Sequence, residues 1–260
     1  MTAAFFVPRA DGRYQATEHT SGPWDPRLQH AGPPAALIGR ALERCEPRPE
    51  MFISRLTFEI LHAVPVGEVE VQARIARPGR SVELLEASLS AGGREVVRTS
   101  AWRVLRAPGE TASPHPYEPP PLPDEEAPMP AQLESGYLKA VEWRPARGGF
   151  HERGPAAAWT RIRVPILEDE EPSGLQRVLA VADSGNGISG TLDMRRWWFI
   201  NPELTVHLER EPEGEWICLD ARTSIEPGGA GLATSILSDR RGPVGRGAQT
   251  LYVGDRPGSA

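Results

Sequence analysis

The sequence predicts an α+β protein built twice over, with a long helix packed on a curved antiparallel sheet in each copy. Three observations predict it. Residues 107–131, APGETASPHPYEPPPLPDEEAPMPA, gather prolines and acids near the middle of the 260-residue chain. They read as an extended linker, because proline removes backbone donors and fixes φ. The flanking halves, 1–106 and 132–260, each carry four successive alternating, β-branched runs broken by Gly or Pro. An apolar stripe at helical spacing precedes each set.

Taken in order, YQATEHTSGPW (14–24) is a strand-like prefix and AGPPAALIGRALERC (31–45) a helix. Ala35, Leu37, Ile38, Ala41 and Leu42 form one apolar face of that helix. Pro33 and Pro34 fall in a first turn, where backbone donors lack partners anyway. FISRLTFEIL (52–61), EVEVQARIARPG (68–79), SVELLEASLSAGG (81–93) and REVVRTSAWRVL (94–105) then predict an antiparallel meander. After the linker, YLKAVEWRP (137–145) and AAAWTRIRVPI read as strands. The second helix candidate, SGLQRVLAVADSGNGISGTL (173–192), begins at a capping Ser173. Gly185, Gly187 and Gly190 weaken its C-terminal part, so a break is expected near Asp183. FINPELTVHL (199–208), EWICLDARTSIEPGG (215–229), AGLATSILSD (230–239) and GPVGRGAQTLYV (242–253) predict a second meander. Phe52-Ile53 matches Phe199-Ile200, Glu68 matches Glu215, Leu56-Thr57 matches Leu204-Thr205 and Val96 matches Val244, always 147 or 148 residues apart. A duplication accounts for that register.

Composition narrows the function. A net charge of -6, with no Lys/Arg-rich run, argues against nucleic acid as a partner. The N-terminus shows no signal-peptide pattern and no stretch is apolar enough to span a bilayer, so a cytoplasmic protein is expected. Two cysteines, Cys45 and Cys218, imply no disulfide framework, and the six histidines show no ligand spacing. Neither metal nor cofactor is expected. The paired tryptophans Trp197 and Trp198 read as core or dimer surface, and Arg195, Arg196, Arg240 and Arg241 as solvated charges.

Asp183 is the residue that most needs explaining. It stands between an apolar run and a Ser-Gly-Asn-Gly turn, and an ionised Asp at the edge of a core loses hydration. Turn chemistry alone can account for it. Gln249 alternates in step with Leu251 and Val253, so it faces inward on the last strand and needs a polar partner there. Asn201 precedes Pro202, a common turn opener.

LQHAGPPAALIGRALE (28–43), LAVADSGNGIS (179–189), NPELTVHLER (201–210) with EWICLDA (215–221), and GPVGRGAQTLYV (242–253) together resemble the type II acyl-CoA thioesterases of double-hotdog fold. The resemblance runs over nearly the whole chain and implies a tandem hotdog. It also implies an Asp, a hydroxyl residue and a Gln in the second hotdog that hold water against a thioester carbonyl. Asp183 and Gln249 match the first and last. Asn201 stands in the hydroxyl's place; an amide hydrogen-bonds but does not relay a proton as a hydroxyl does. Contacts to an acyl-CoA substrate are expected from His30, Gly32, Ser54 and Gly185. Helix N-terminal amides are expected to serve the oxyanion, and Gly32 to let the ligand carbonyl approach the backbone.

Across the duplication Asp183 maps near His30, Asn201 onto Ser54 and Gln249 near Ala101, so one complete site per chain is expected. Two other readings stay open. An enoyl-CoA hydratase or dehydratase of hotdog fold needs an Asp–His pair, and no His lies near Asp183 or Asn201 in sequence. A non-catalytic acyl- or lipid-binding protein needs only the fold, and Asn201 favours it. Any further assembly, to a homodimer or beyond, is expected to be symmetric.

Overall fold

The computed structural model describes residues 4–109, 115–130 and 133–256. In the first half, β1 (Phe6–Pro8), β2 (Tyr14–Ala16), α1 (Gly32–Arg44), β3 (Met51–Ile60), β4 (Glu68–Arg77), β5 (Val82–Ala91) and β6 (Arg94–Leu105) follow one another. In the second come α2 (Gly136–Ala140), β7 (Val141–Arg147), β8 (Ala156–Ile162), α3 (Gly174–Ala182), α4 (Gly185–Ile188), β9 (Trp197–Ile200), β10 (Glu203–Leu208), β11 (Ile217–Ile225), β12 (Gly231–Asp239) and β13 (Gly242–Asp255).

The strands form one antiparallel sheet in the order β1-β2-β4-β5-β6-β3-β10-β13-β12-β11-β8-β7, with β9 paired to the far end of β13. The predicted four-strand meanders are therefore corrected. β4-β5-β6 and β11-β12-β13 are meanders, whereas β3 and β10 cross to the far side of β6 and β13. This places β3 against β10 at the centre, with Thr57 opposite Thr205. Thr205 Oγ1 and Thr57 Oγ1 lie 3.3 Å apart, so the two central strands are joined by side chains as well as by their ladder.

Three local expectations change. FINPELTVHL breaks into β9 and β10 at Asn201-Pro202, because proline has no N–H to donate to a ladder. YQATEHTSGPW holds its strand only to Ala16, and a 3₁₀ turn, Glu18–Thr20, follows under a Thr17 cap. YLKAVEWRP starts as α2, which Ser135 caps through the Leu138 N–H, before it extends into β7. The segment 115–130 is irregular, as its prolines require, and lies along the second half. Tyr117 donates to Asp220 (2.7 Å), and Pro120 and Pro123 accept from Trp159 (2.9 Å) and Arg144 (2.9 Å).

The helices make the centre of the core. Leu37, Ile38 and Leu42 of α1 and Val178, Leu179 and Val181 of α3 are buried. α1 and α3 run antiparallel in close contact: a Cβ on Gly32 would sit 2.1 Å from the Ala180 carbonyl oxygen, and one on Gly39 would sit 2.4 Å from Leu179. At the other end, Glu43 of α1 accepts from Ser173 (2.7 Å) and Gln176 (2.8 Å) at the start of α3. The N-terminus of α1 thus meets the C-terminus of α3, the end where Asp183 lies.

Candidate active site

A cavity of about 690 Å³ opens at this helix junction, walled by both halves. Trp24, Ile60, Val64, Leu138, Phe150, Trp198 and Phe199 give it apolar surface, and His30, Asp183 and Asn201 are the polar groups gathered at one point of the wall. Trp24 packs against Trp198 (5.2 Å between centroids) and edge-on to Phe199 (5.0 Å). Trp198 therefore belongs to the cavity wall, which its expectation as core or dimer surface did not include.

Asp183 is the C-cap of α3, and a single further turn, α4, which contains Gly185 and Gly187, follows it. Asp183 itself is 5% exposed. Oδ1 accepts from Asn201 Nδ2 (2.8 Å) and from Gln249 Nε2 (3.0 Å), and the Ala31 N–H at the start of α1 also donates to the carboxylate. Burial, the larger effect, pushes the pKa of Asp183 up to about 7, and the donors from Asn201, Ala31 and Gln249 only partly oppose it. All of these donors are uncharged. The group therefore changes protonation near neutrality, as a general base or acid must.

Gln249, from the centre of β13, is buried as its alternation predicts. Its Nε2 donates to both the backbone oxygen (3.0 Å) and Oδ1 of Asp183, and its Oε1 accepts from the Asn186 N–H (3.2 Å). Gln249 is not on the cavity wall; its amide lies behind Asp183 and bonds the carboxylate. Gly185 makes room for it: a Cβ there would lie 3.1 Å from Gln249 Oε1. Asn201 reaches the wall and also donates to the Glu203 carbonyl (3.1 Å), so both of its N–H bonds serve to orient it.

His30 enters from the loop before α1. Its ring stacks on Tyr137 (3.7 Å, 6°), whose hydroxyl donates to the Ala180 carbonyl (3.0 Å) and pairs with Ser184 (2.7 Å). Nδ1 of His30 accepts from the Gly32 N–H (3.1 Å) and lies 3.5 Å from Asp183 Oδ2. Burial pushes its pKa down to about 3, so the ring is neutral and the contact with Asp183 is no ion pair. Sequence separation hides this pair; the antiparallel helices bring it together.

Other expectations are corrected. The space that Gly32 leaves open is filled by the Ala180 carbonyl, so its smallness serves helix packing and not ligand approach. Ser54 donates to the Trp102 carbonyl (3.3 Å) at an irregularity of β3 and is not on the cavity wall. The first turn of α1 offers little to an oxyanion: Pro33 and Pro34 have no N–H, Gly32 donates to His30 and Ala31 to Asp183. Sequence reasoning missed Tyr137, which lies in a run that alternates like a strand, and Ala31 and Asn186, which act through backbone atoms that carry no sequence signal.

The fold is shared with solved proteins, one of them described as having a hotdog fold. A protein of Alicyclobacillus acidocaldarius with a hotdog fold is 17% identical, with 98% of this chain and 96% of that one covered at a TM-score of 0.71. A Novosphingobium aromaticivorans protein proposed to be a thioesterase is 20% identical, with 95% and 98% covered at 0.70. An acyl-CoA thioesterase II of Mycobacterium marinum is 14% identical, with 97% and 96% covered at 0.64. No curated protein matches significantly. The family profile of the acyl-CoA thioesterase N-terminal domain matches residues 20–104, and that of the C-terminal domain matches residues 116–253. The chain belongs to the acyl-CoA thioesterase family.

Proposed function

We propose that the protein hydrolyses an acyl-CoA thioester to the free acid and coenzyme A, in one site formed between two hotdog units. The units correspond to residues 1–106 and 132–260, with 107–131 between them. The observation that carries this reading is Asp183: a buried carboxylate held, among the described residues, by uncharged donors at the wall of a largely apolar cavity. Ionised Asp183 takes a proton from water as the water oxygen attacks the thioester carbon. The tetrahedral intermediate then breaks its C–S bond, and the departing thiolate receives that proton from Asp183. Asn201 and Gln249 hold the carboxylate in one orientation, and α4 supports Gln249 through the Asn186 N–H. Among the described residues no helix is long and apolar enough to cross a membrane.

The approach of His30 to Asp183 favours a second reading, hydration of an enoyl-CoA, for which such a pair supplies an acid and a base. One experiment separates the readings. Purified protein is incubated with acyl-CoAs of several chain lengths, and free thiol is followed. Release that Asp183→Asn abolishes supports hydrolysis. Hydration of crotonyl-CoA without thiol release supports the second reading. Tight binding with neither reaction identifies a binding protein.

A further inference from the structure

We infer that His30 is the electrophile of the site: its Nε2–H donates to the thioester carbonyl oxygen and stabilises the charge that develops there. The inference rests on the thioesterase reading and adds a catalytic residue to it.

An oxyanion needs donors aimed at it, and the first turn of α1 does not supply them. Pro33 and Pro34 remove two amides, and the Gly32 and Ala31 amides face His30 and Asp183. The Gly32 bond has a consequence for the ring it meets. Because Nδ1 accepts from a backbone N–H, which is always a donor, Nδ1 carries the lone pair, and the proton of the neutral imidazole sits on Nε2. Among the described residues Nε2 has no hydrogen-bond partner, and the ring lines the cavity. The stack on Tyr137, itself pinned to Ala180 and Ser184, fixes the ring plane. A positioned donor therefore faces the cavity one ring's width from the atom that approaches Asp183, a separation that a carbonyl and its attacking water span. The positive end of α1 lies behind it and, through the Gly32 N–H, strengthens Nε2–H as a donor.

Two substitutions divide the ring's functions. His30→Asn keeps an acceptor near Nδ1 for Gly32 but deletes the donor at Nε2; His30→Gln puts an amide N–H near Nε2 and gives up the Gly32 bond. An electrophilic role predicts that His30→Asn lowers kcat for thiol release about 100-fold with KM nearly unchanged, while His30→Gln stays within about tenfold of the parent. A merely structural role predicts the reverse order. Isotope-edited infrared spectra of acyl-CoA carrying a ¹³C carbonyl, bound to Asp183→Asn protein, give a readout that needs no turnover. The carbonyl band is expected to move to lower frequency on binding, to lose that shift when His30→Asn is added and to keep it with His30→Gln. His30→Asn retaining kcat within about threefold, or a carbonyl band that ignores His30, overturns the inference while leaving the thioesterase reading intact. Absence of thiol release from the parent overturns that reading, and the band then still tests the His30 contact.

Discussion

The second half of the protein buries two aspartates in opposite ways. Asp239, at the end of β12, is gripped by both guanidinium nitrogens of Arg210 (2.6 Å each) and by the backbone N–H groups of Glu213 (2.9 Å) and Arg241 (2.8 Å). Burial alone would raise its pKa, but Arg210 and the two amides hold it below the ordinary value. Asp183 is also buried and hydrogen-bonded, but among the described residues no cation reaches it, and burial raises its pKa to about 7. The difference teaches what separates a structural acid from a chemical one: a fixed positive charge locks the first in its ionised form, and its absence leaves the second free to exchange a proton.

The sharpest way to break this comparison is to neutralise each acid. Asp183→Asn is expected to lower thiol release by about 10³-fold or more and to leave the fold intact. Asp239→Asn is expected to do the reverse, costing about 3–5 kcal/mol in urea denaturation because Arg210 is left uncompensated, with activity per folded molecule unchanged. Equal losses of activity in both would erase the distinction.

The pH dependence separates the two acids in sign. Asp183 is raised in the folded state, so the stability it contributes is present below pH 3.8 and is lost as pH rises through about 7. Above that pH its ionisation costs up to about 4 kcal/mol, and Asp183→Asn should melt at a higher temperature than the parent. Asp239 is depressed, so its contribution is present above the unfolded value and disappears in acid. Thiol release should rise with pH along a limb centred near 7 that Asp183→Asn removes.

Smaller effects probe the support around Asp183. Gln249→Ala frees the carboxylate to rotate and should lower kcat about 10–100-fold, since misplacement by an ångström costs that much. Gly32→Ala drives a methyl into the Ala180 carbonyl and should cost about 1–3 kcal/mol of stability. Asn201→Ser, which shortens the donor while keeping a hydrogen-bonding group beside Asp183, should change kcat within about tenfold. A larger fall would show that the amide's reach to Glu203 matters for holding Asp183.

Much of the fold was legible. Both long helices, the break after Ala182 and nearly every strand follow from period-2 and period-3.6 patterns that local chain geometry imposes. Pairing order was not legible, because alternation marks which residues face the core and says nothing about which strand lies alongside. Asp183 could be picked out as an acid at the edge of a core and Gln249 as an inward amide, and they do meet. His30 reads from the sequence as a substrate contact, but its approach to Asp183 depends on the α1–α3 crossing. Gly32 was misread because the atom it makes room for, the Ala180 carbonyl, is remote in sequence. Tyr137 lay unnoticed in a run that alternates like a strand.

By itself, then, the sequence determined most of the elements and the presence of a carboxylate at a helix end and an inward-facing amide. These are properties of neighbouring residues, for which propensity, patterning and turn chemistry suffice. The tertiary structure alone decided what Asp183 is: which donors reach it, that among the described residues no cation does, and that a histidine from the other half stands 3.5 Å away. Protonation follows burial and the sum of nearby charges in space, and those are set only when two antiparallel helices bring distant ends of the chain together.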